Sequence, residues 1–349
     1  MNNSRRVKIG NIYIGGGEKI AVQSMTTAPT SDAKKTIEQF RELEAHGCDI
    51  VRVAVPDMAA AEAIYEIKNN INIPLVADIH FDYRLAITAM ERGVDKIRIN
   101  PGNIGDEQKA RAVAEEAKKR NIPIRIGVNG GSLDKKLLEK YGSATPEAMV
   151  ESAEEHIKIL EKFGFYDTVI SIKASDVKKT IAAYRLASEK FSYPLHLGVT
   201  EAGAYKSGVI KSAIGIGSLL ADGIGDTIRV SLTDDPVHEV DTAKQILKSL
   251  GLMEQGIEVV SCPTCARCRI NLIPIAKEIS ERLENVPGKL KVAVMGCAVN
   301  GPGEARDADI GIAGGEGEAL LFKKGEIVGK IPEDRVIETL MCEIEKMKG

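Results

Sequence analysis

Apolar and polar positions along this chain follow two alternating periods. Short apolar runs rich in Val, Ile and Thr are separated by longer stretches in which apolar residues recur every three to four positions. The first pattern predicts buried strands and the second amphipathic helices. Strands are predicted at residues 20–25, 50–55, 74–79, 96–100, 123–128, 168–172, 195–199 and 227–231. Helices are predicted between them, among them 34–45, 59–68, 108–120, 147–162 and 177–189, with 237–250 as the last. A succession of eight strand–helix units predicts an α/β fold, a (β/α)8 TIM barrel. A doubly wound sheet is the alternative, but no G-x-G-x-x-G loop follows the first strand. Ahead of the barrel, Val7, Ile9, Ile12 and Ile14 alternate around Gly10-Asn11, the pattern of a small hairpin.

The pattern changes after Leu250. Residues 251–256 read as a linker, and the chain divides into a barrel domain, 1–254, and a smaller α+β domain, 255–349. In the latter, strands are predicted at 257–260, 290–295, 308–313 and 319–323, with helices at 271–283 and 333–347. Four of the six cysteines fall between Ser261 and Glu304. Ser261-Cys-Pro-Thr-Cys-Ala-Arg-Cys268 opens this stretch and Met295-Gly-Cys-Ala-Val-Asn-Gly-Pro-Gly-Glu304 closes it. A C-x-x-C turn brings Cys262 and Cys265 onto one tight loop. A third thiolate and a carboxylate on a second, glycine-rich loop can complete a four-ligand site. Thiolates in this number favour zinc or an iron–sulfur cluster over magnesium or calcium, and spacing alone leaves both open. Disulfides do not suit a chain without an export signal. Cys48 and Cys342 sit alone in helical patterns and are expected to pack.

The strand ends of the barrel, where chemistry sits in this fold, are polar. Arg52, Arg98, Arg125 and Arg229 each lie between β-branched neighbours. Asp78 and His80 end the third strand, and Asn100 and Asn129 follow the fourth and fifth. Lys173 ends the sixth, Glu201 follows the seventh and Ser231 ends the eighth. A buried arginine left unpaired is costly, roughly 3–5 kcal/mol by analogy with broken buried pairs. Cations converging on one mouth therefore imply an anion, and guanidinium forks match phosphate oxygens. The competing reading pairs each arginine with a barrel carboxylate such as Asp78, Asp95 or Glu201. Few acidic residues sit at the strand ends, so one such pair is expected rather than four. His196 is expected to pack.

Charge and length bound the rest. A net charge of −3 argues against a general nucleic-acid binder. No stretch approaches the ~18 apolar residues of a membrane span. The basic, polar first ten residues lack the apolar core of a secretory signal, so a cytoplasmic protein is expected. The last barrel helix spans about 21 Å toward the barrel floor at ~1.5 Å per residue. A short linker from there leaves the cysteine loops far from their own barrel's mouth. A head-to-tail homodimer with composite active sites is therefore expected.

Motifs along nearly the whole chain resemble one family. They are Val51-Arg-Val-Ala-Val-Pro56, Ala77-Asp-Ile-His-Phe81, Ile97-Arg-Ile-Asn-Pro-Gly-Asn103, Arg125-Ile-Gly-Val-Asn129, Ser171-Ile-Lys173, Thr200-Glu-Ala-Gly203 and Asp226-Thr-Ile-Arg-Val-Ser-Leu-Thr-Asp-Asp-Pro236, with the two cysteine motifs. The chain resembles the bacterial 4-hydroxy-3-methylbut-2-enyl diphosphate synthases of the methylerythritol phosphate route to isoprenoids. The resemblance implies reductive ring opening of 2-C-methyl-D-erythritol 2,4-cyclodiphosphate, with loss of a hydroxyl as water. It implies a [4Fe–4S] cluster on Cys262, Cys265, Cys297 and Glu304. It implies that Arg52, Arg98, Arg125, Lys173, Arg229, Ser231, Asn100 and Asn129 hold the cyclic diphosphate, supported by Asp78 and His80. Glu201 would donate a proton to the departing hydroxyl. Electrons would come singly from a flavodoxin or ferredoxin. One departure matters: the family has Gly-Arg after the second cysteine, whereas this chain has Ala266-Arg267 and then Cys268, which the family pattern leaves out of the ligand set. The rivals are a barrel transferase acting on a phosphorylated or pterin substrate with a structural zinc domain, and a non-enzymatic electron-transfer module. A radical enzyme using adenosylmethionine lacks its C-x-x-x-C-x-x-C run here.

Overall fold

The protein is described from a computed structural model, which places residues 4–100, 102–253, 256–284, 286, 288–298 and 307–347. The chain divides into two compact units, Met1–Leu252 and Met253–Gly349.

The first unit opens with the hairpin β1 (Val7–Ile9) and β2 (Ile12–Ile14). The parallel strands that follow are β3 (Ala21–Met25), β4 (Ile50–Ala54), β5 (Leu75–Asp78), β6 (Lys96–Ile99), β7 (Ile124–Asn129), β8 (Thr168–Lys173), β9 (His196–Leu197) and β10 (Thr227–Ile228). They form one sheet in the order β8-β7-β6-β5-β4-β3-β10-β9. A bridge between Ile170 and Leu195 closes it into a barrel. The expected TIM barrel is thus the fold of this unit.

The last two strands are shorter than the apolar pattern suggests, and for β9 the closing seam shows a local reason. Tyr184 is fully buried, and its hydroxyl accepts a hydrogen bond from the Ile172 N–H and donates one to the His196 carbonyl. The phenol thus stands where ladder bonds between β8 and β9 would otherwise run. The N-terminal hairpin packs Val7, Ile9 and Ile14 against Ala21, Ile50, Val76 and Val169. Each such buried aliphatic side chain contributes about 1.5–3 kcal/mol.

The outer helices are α1 (Ala33–Ala45), α2 (Met58–Lys68), α3 (Tyr83–Glu91), α4 (Glu107–Arg120), α5 (Lys135–Tyr141), α6 (Pro146–Lys162), α7 (Val177–Lys190), α8 (Tyr205–Ala221) and α9 (Pro236–Ser249). The short α5, inside the connection from β7 to α6, is an addition that helical periodicity missed. Asp32, Asp57, Asp82, Asp106, Asp134, Asp176 and Asp235 each accept a hydrogen bond from a backbone N–H in the first turn of a helix. Such caps satisfy donors that the helix itself cannot. They also occupy most of the aspartates near the strand ends. Asp95 is engaged before β6 rather than at the strand ends, taking Lys68 and the Leu75 N–H. It is therefore not among the carboxylates available to the arginines.

The second unit is a five-stranded sheet in the order β11-β12-β13-β14-β15. Its strands are β11 (Glu258–Ser261), β12 (Lys291–Met295), β13 (Ile310–Gly314), β14 (Glu318–Lys323) and β15 (Glu326–Pro332). The first three run parallel and the last three antiparallel. Helices α10 (Leu272–Leu283) and α11 (Val336–Met347) pack Ile275, Ile279, Leu340 and Ile344 against Val292, Val294, Ile310 and Ile312. β15 was not expected from the sequence. It is mostly exposed and carries charged residues and Gly329, so it lacks the apolar run of a buried strand. Cys48 is buried as expected, whereas Cys342 is exposed on α11.

Candidate active site

Strand register builds the barrel's polar interior. Asp78 on β5 pairs in register with Arg98 on β6, and Arg98 with Arg125 on β7. Three ionisable side chains therefore stand side by side across adjacent strands. Asn129 and Lys173 are partners in the same way on β7 and β8. Two glycines make room. A Cβ at Gly127 would collide with the Arg98 guanidinium, and one at Gly198 would lie 2.7 Å from Lys173 Nζ.

Six cationic side chains, Arg52, Lys96, Arg98, Arg125, Lys173 and Arg229, share this interior with the carboxylates of Asp78 and Glu239. Asp78 takes two arginines, with Arg98 Nη1 at 3.1 Å and Arg52 Nε at 3.5 Å. Burial raises the Asp78 pKa, but Arg52 and Arg98 overcome it and hold the carboxyl at about 2. Arg52 also points its Nε and Nη2 at the sulfur of Met25, a weak acceptor. Arg229 meets Glu239 at 3.5 Å, and Glu239 in turn accepts from Ser24 and the Leu232 N–H. More of the arginines are thus paired than the sequence suggested, because Glu239 arrives from α9 and not from a strand end.

Arg125 is different. It is 1% exposed, and its Nε and Nη1 have no hydrogen-bond partner. Burial and the guanidiniums of Arg52 and Arg98 push its pKa well below the usual arginine range. Lys173 is also buried, with His196 Nε2 at 3.5 Å as its contact. Burial and Arg229 push its pKa well down. An interior so unbalanced toward positive charge suits a compact, multiply charged anion.

The other expected residues fall around this layer. His80 is exposed, with Nδ1 3.3 Å from Arg98 Nη1. Asn100 is half-buried, and its Oδ1 accepts from the Gly102 N–H. Ser231 is half-buried. Asn129 and Glu201 line a cavity of about 500 Å³ with Thr200, Ala174 and Lys179. Glu201 is exposed, does not pair with the arginines in any contact seen, and holds a left-handed backbone, φ +52°. A non-glycine residue in that region is strained by roughly 1–3 kcal/mol, and such strain gathers at functional sites.

Sequence reasoning missed three members of this layer. Lys96 sits two residues before Arg98 on β6, so strand alternation alone puts it on the same face. His196 was read as packing, yet it is fully buried against Lys173 with Nδ1 unpartnered. Glu239 had no strand-end signal to betray it.

In the second unit Cys262, Cys265 and Cys268 lie on the loop after β11 and Cys297 on the loop after β12. The Gly296 N–H donates to Cys262 Sγ at 3.2 Å, and the Arg269 N–H donates to the Gly296 carbonyl at 2.8 Å. These bonds stitch the two loops together beside Cys297. Cys265 is exposed and Cys297 buried, and no cysteine is in a disulfide. Cys268 instead donates its thiol to the Ile270 carbonyl at 3.2 Å. Among the described residues no three Cys, His, Asp or Glu side chains converge closely enough to grip a metal ion. Glu304 lies outside the described residues.

Two family models match the chain: the GcpE TIM-barrel domain over residues 4–244 and the GcpE protein C-terminal domain over residues 258–346. The chain belongs to the GcpE family. Its curated relatives match over nearly their whole length. A 4-hydroxy-3-methylbut-2-en-1-yl diphosphate synthase (flavodoxin) of Caldanaerobacter subterraneus subsp. tengcongensis is 62% identical over 344 residues, 99% of this chain and 97% of that protein. The enzyme of that name from Clostridium perfringens is 62% identical over 98% of each chain. The one from Geobacter sulfurreducens is 58% identical over 99% of this chain and 98% of its own. The family expected from the motifs is therefore the family found.

Among solved structures, the 3-dehydroquinate dehydratase of Geobacillus kaustophilus aligns with a TM-score of 0.52 at 15% identity, over 73% of this chain and all of that one. The dihydropteroate synthase of Stenotrophomonas maltophilia aligns with a TM-score of 0.52 at 13% identity, over 71% of this chain and 98% of its own. At such identities GcpE shares only the barrel fold with them, and the pterin transferase reading gains nothing from the likeness.

Proposed function

We propose that this GcpE chain reductively opens 2-C-methyl-D-erythritol 2,4-cyclodiphosphate to 4-hydroxy-3-methylbut-2-enyl diphosphate. One ring C–O bond breaks, the neighbouring hydroxyl leaves as water and a C=C bond forms. The step consumes two electrons and two protons. The observation that carries this reading is the unpaired Arg125 within a cation-rich barrel interior, in a chain whose near-full-length relatives bear that enzyme's name.

Arg52, Arg98, Arg125, Lys173 and Arg229 would hold the two phosphates, with Asn100, Asn129 and Ser231 orienting them. Asp78 holds Arg52 and Arg98 toward the mouth, and His80 adds a polar contact beside Arg98. Glu201, on its strained turn, would deliver a proton to the departing hydroxyl. Cys262, Cys265, Cys297 and Glu304 would hold a [4Fe–4S] cluster, which supplies electrons one at a time. The fit rests on donor chemistry: cysteines outside any disulfide on two hydrogen-bonded loops, with an N–H already directed at the Cys262 sulfur, as a thiolate requires. Cys268 is committed to a carbonyl and would stay outside the ligand set.

The electron donor would be a flavodoxin, which the relatives' names carry, or a ferredoxin. A cytoplasmic location suits this chemistry, and no helix among the described residues is long and apolar enough to cross a membrane. A homodimer with composite sites remains part of the proposal. What supports it is the apolar pair Ile210 and Ile214, exposed one turn apart on α8. The deciding experiment is anaerobic turnover of the cyclic diphosphate with dithionite and a viologen dye. The linear diphosphate should accumulate. Iron-free, zinc-loaded protein with no turnover would overturn the reading.

A further inference from the structure

The charge of the barrel continues below the groups assigned to the substrate. Lys96 lies on β6 two residues before Arg98, is 0% exposed, and its Nζ has no hydrogen-bond partner. The ionisable groups of this interior are Arg98 on the same strand, Arg52 on β4, Asp78 on β5, Arg125 on β7, Lys173 on β8, His196 on β9, Arg229 on the segment after β10 and Glu239 on α9. Gln23 on β3 adds a buried amide whose oxygen and nitrogen are both unpartnered. The two carboxylates are already taken, Asp78 by Arg52 and Arg98 and Glu239 by Arg229. Nothing negative is left for Lys96.

A buried ammonium without a partner escapes its cost by releasing its proton, whereas a guanidinium keeps its charge. Burial, then Arg125 and Arg52, accordingly push the Lys96 pKa well below the ordinary lysine range. A cyclic diphosphate reverses that balance, because it brings two negative charges to the layer above. Each of its phosphorus atoms carries one strongly acidic oxygen, so the ligand itself exchanges no proton near neutrality.

We propose that Lys96 is a positioning residue that takes a proton from solvent as the cyclic diphosphate enters, adding beneath the ligand a cation that the free barrel does not carry. This rests on the substrate reading above. The sign follows from linkage. The bound form holds more protons than the free form, so affinity strengthens as pH falls between the Lys96 pKa of the bound state and that of the free state. Well above both values the amine is neutral throughout, and its effect vanishes.

The test is calorimetric titration of oxidised holoenzyme with the cyclic diphosphate, without reductant, in two buffers of different ionisation enthalpy. Wild-type protein should take up about half a proton to one proton more per site near pH 7 than Lys96→Met. The variant's Kd should rise about 3- to 10-fold near pH 7 and approach the wild-type value at high pH. Methionine is close to lysine in length and removes a buried amine that has no hydrogen-bond partner, so the melting temperature should hold or rise. Lys96→Gln serves if the methionine variant does not fold. Equal proton uptake by wild type and variant, or a Kd ratio unchanged by pH, would overturn the proposal while leaving the substrate reading intact. Failure of wild-type protein to bind the ligand at all would overturn both.

Discussion

In the barrel, Asp78, Arg98 and Arg125 stand on three hydrogen-bonded strands in direct register, so the backbone ladder sets their spacing. In the second unit, Cys262 and Cys265 ride a loop after β11, and Cys297 rides another after β12. The barrel groups are in place before any ligand arrives, and what they cost is electrostatic: like charges buried together with two carboxylates among them. The thiols are electrostatically easy to hold. Their cost is conformational, since among the described residues the two loops are drawn together by the bonds from Gly296 to Cys262 and from Arg269 to Gly296. A bound anion relieves the first cost and a bound metal group the second. The two regions should therefore respond in opposite ways when a side chain is removed.

The largest effect should come from Cys297→Ser, which removes a proposed ligand. Iron and sulfide should fall together and turnover should drop to background, while the barrel still binds the cyclic diphosphate. Joint loss of binding would break the comparison, because the two regions would not then be separable.

Arg125→Met should come next. Removing a phosphate contact of this kind costs about 2–5 kcal/mol, so kcat/KM should fall about 30- to 5,000-fold. The melting temperature should hold or rise, since the variant no longer buries an unpaired cation. A clear loss of stability would show that Arg125 is balanced within the protein, and the inferred anion site would lose its main support.

Glu201→Gln should lower kcat about 100-fold or more with little change in KM, as loss of a proton donor does. An effect on KM alone would make Glu201 a binding residue. A smaller, purely structural effect concerns pH. The Asp78 carboxyl titrates at about 2 in the folded barrel against an ordinary value of 3.8. A depressed pKa contributes stability that is complete above the ordinary value and is lost as pH falls through about 2. Thermal melts of wild type and Asp78→Asn should therefore differ above about pH 4 and converge toward pH 2. A gap that persists at pH 2 would place the contribution elsewhere.

The smallest effect should belong to Cys268→Ala. Its thiol is spent on the Ile270 carbonyl, so iron content and the electron paramagnetic resonance signal should stay, with activity within about 3-fold of wild type. Glu304→Ala, by contrast, should impair activity. Loss of iron in Cys268→Ala would replace the carboxylate with an all-cysteine site.

The barrel was legible because each strand and helix carries its own period, and aspartates mark the starts of most helices. The arginines were legible for a related reason: a guanidinium between β-branched residues on a buried strand has few explanations. Lys96, flanked by Asp95 and Ile97, lacks that signal; strand alternation with Arg98 two residues later would have found it, and it went unread. Glu239 had no such signal. Its meeting with Arg229 depends on how α9 lies over β3 and the segment after β10, which no local pattern encodes. β15 was missed because an exposed strand needs only a partner edge, and its own residues need not be apolar.

Local periodicity and residue chemistry therefore determined the element order, the barrel, the cysteine-bearing second unit and the positive character of the strand ends. Register and packing decided which cations share a carboxylate, that Arg125 and Lys96 are left without a partner, and that Tyr184 rather than a full ladder seals the barrel. The division has a physical basis. Secondary structure answers to neighbours in sequence, whereas the cost of a buried charge depends on every group that folding brings within a few ångströms of it.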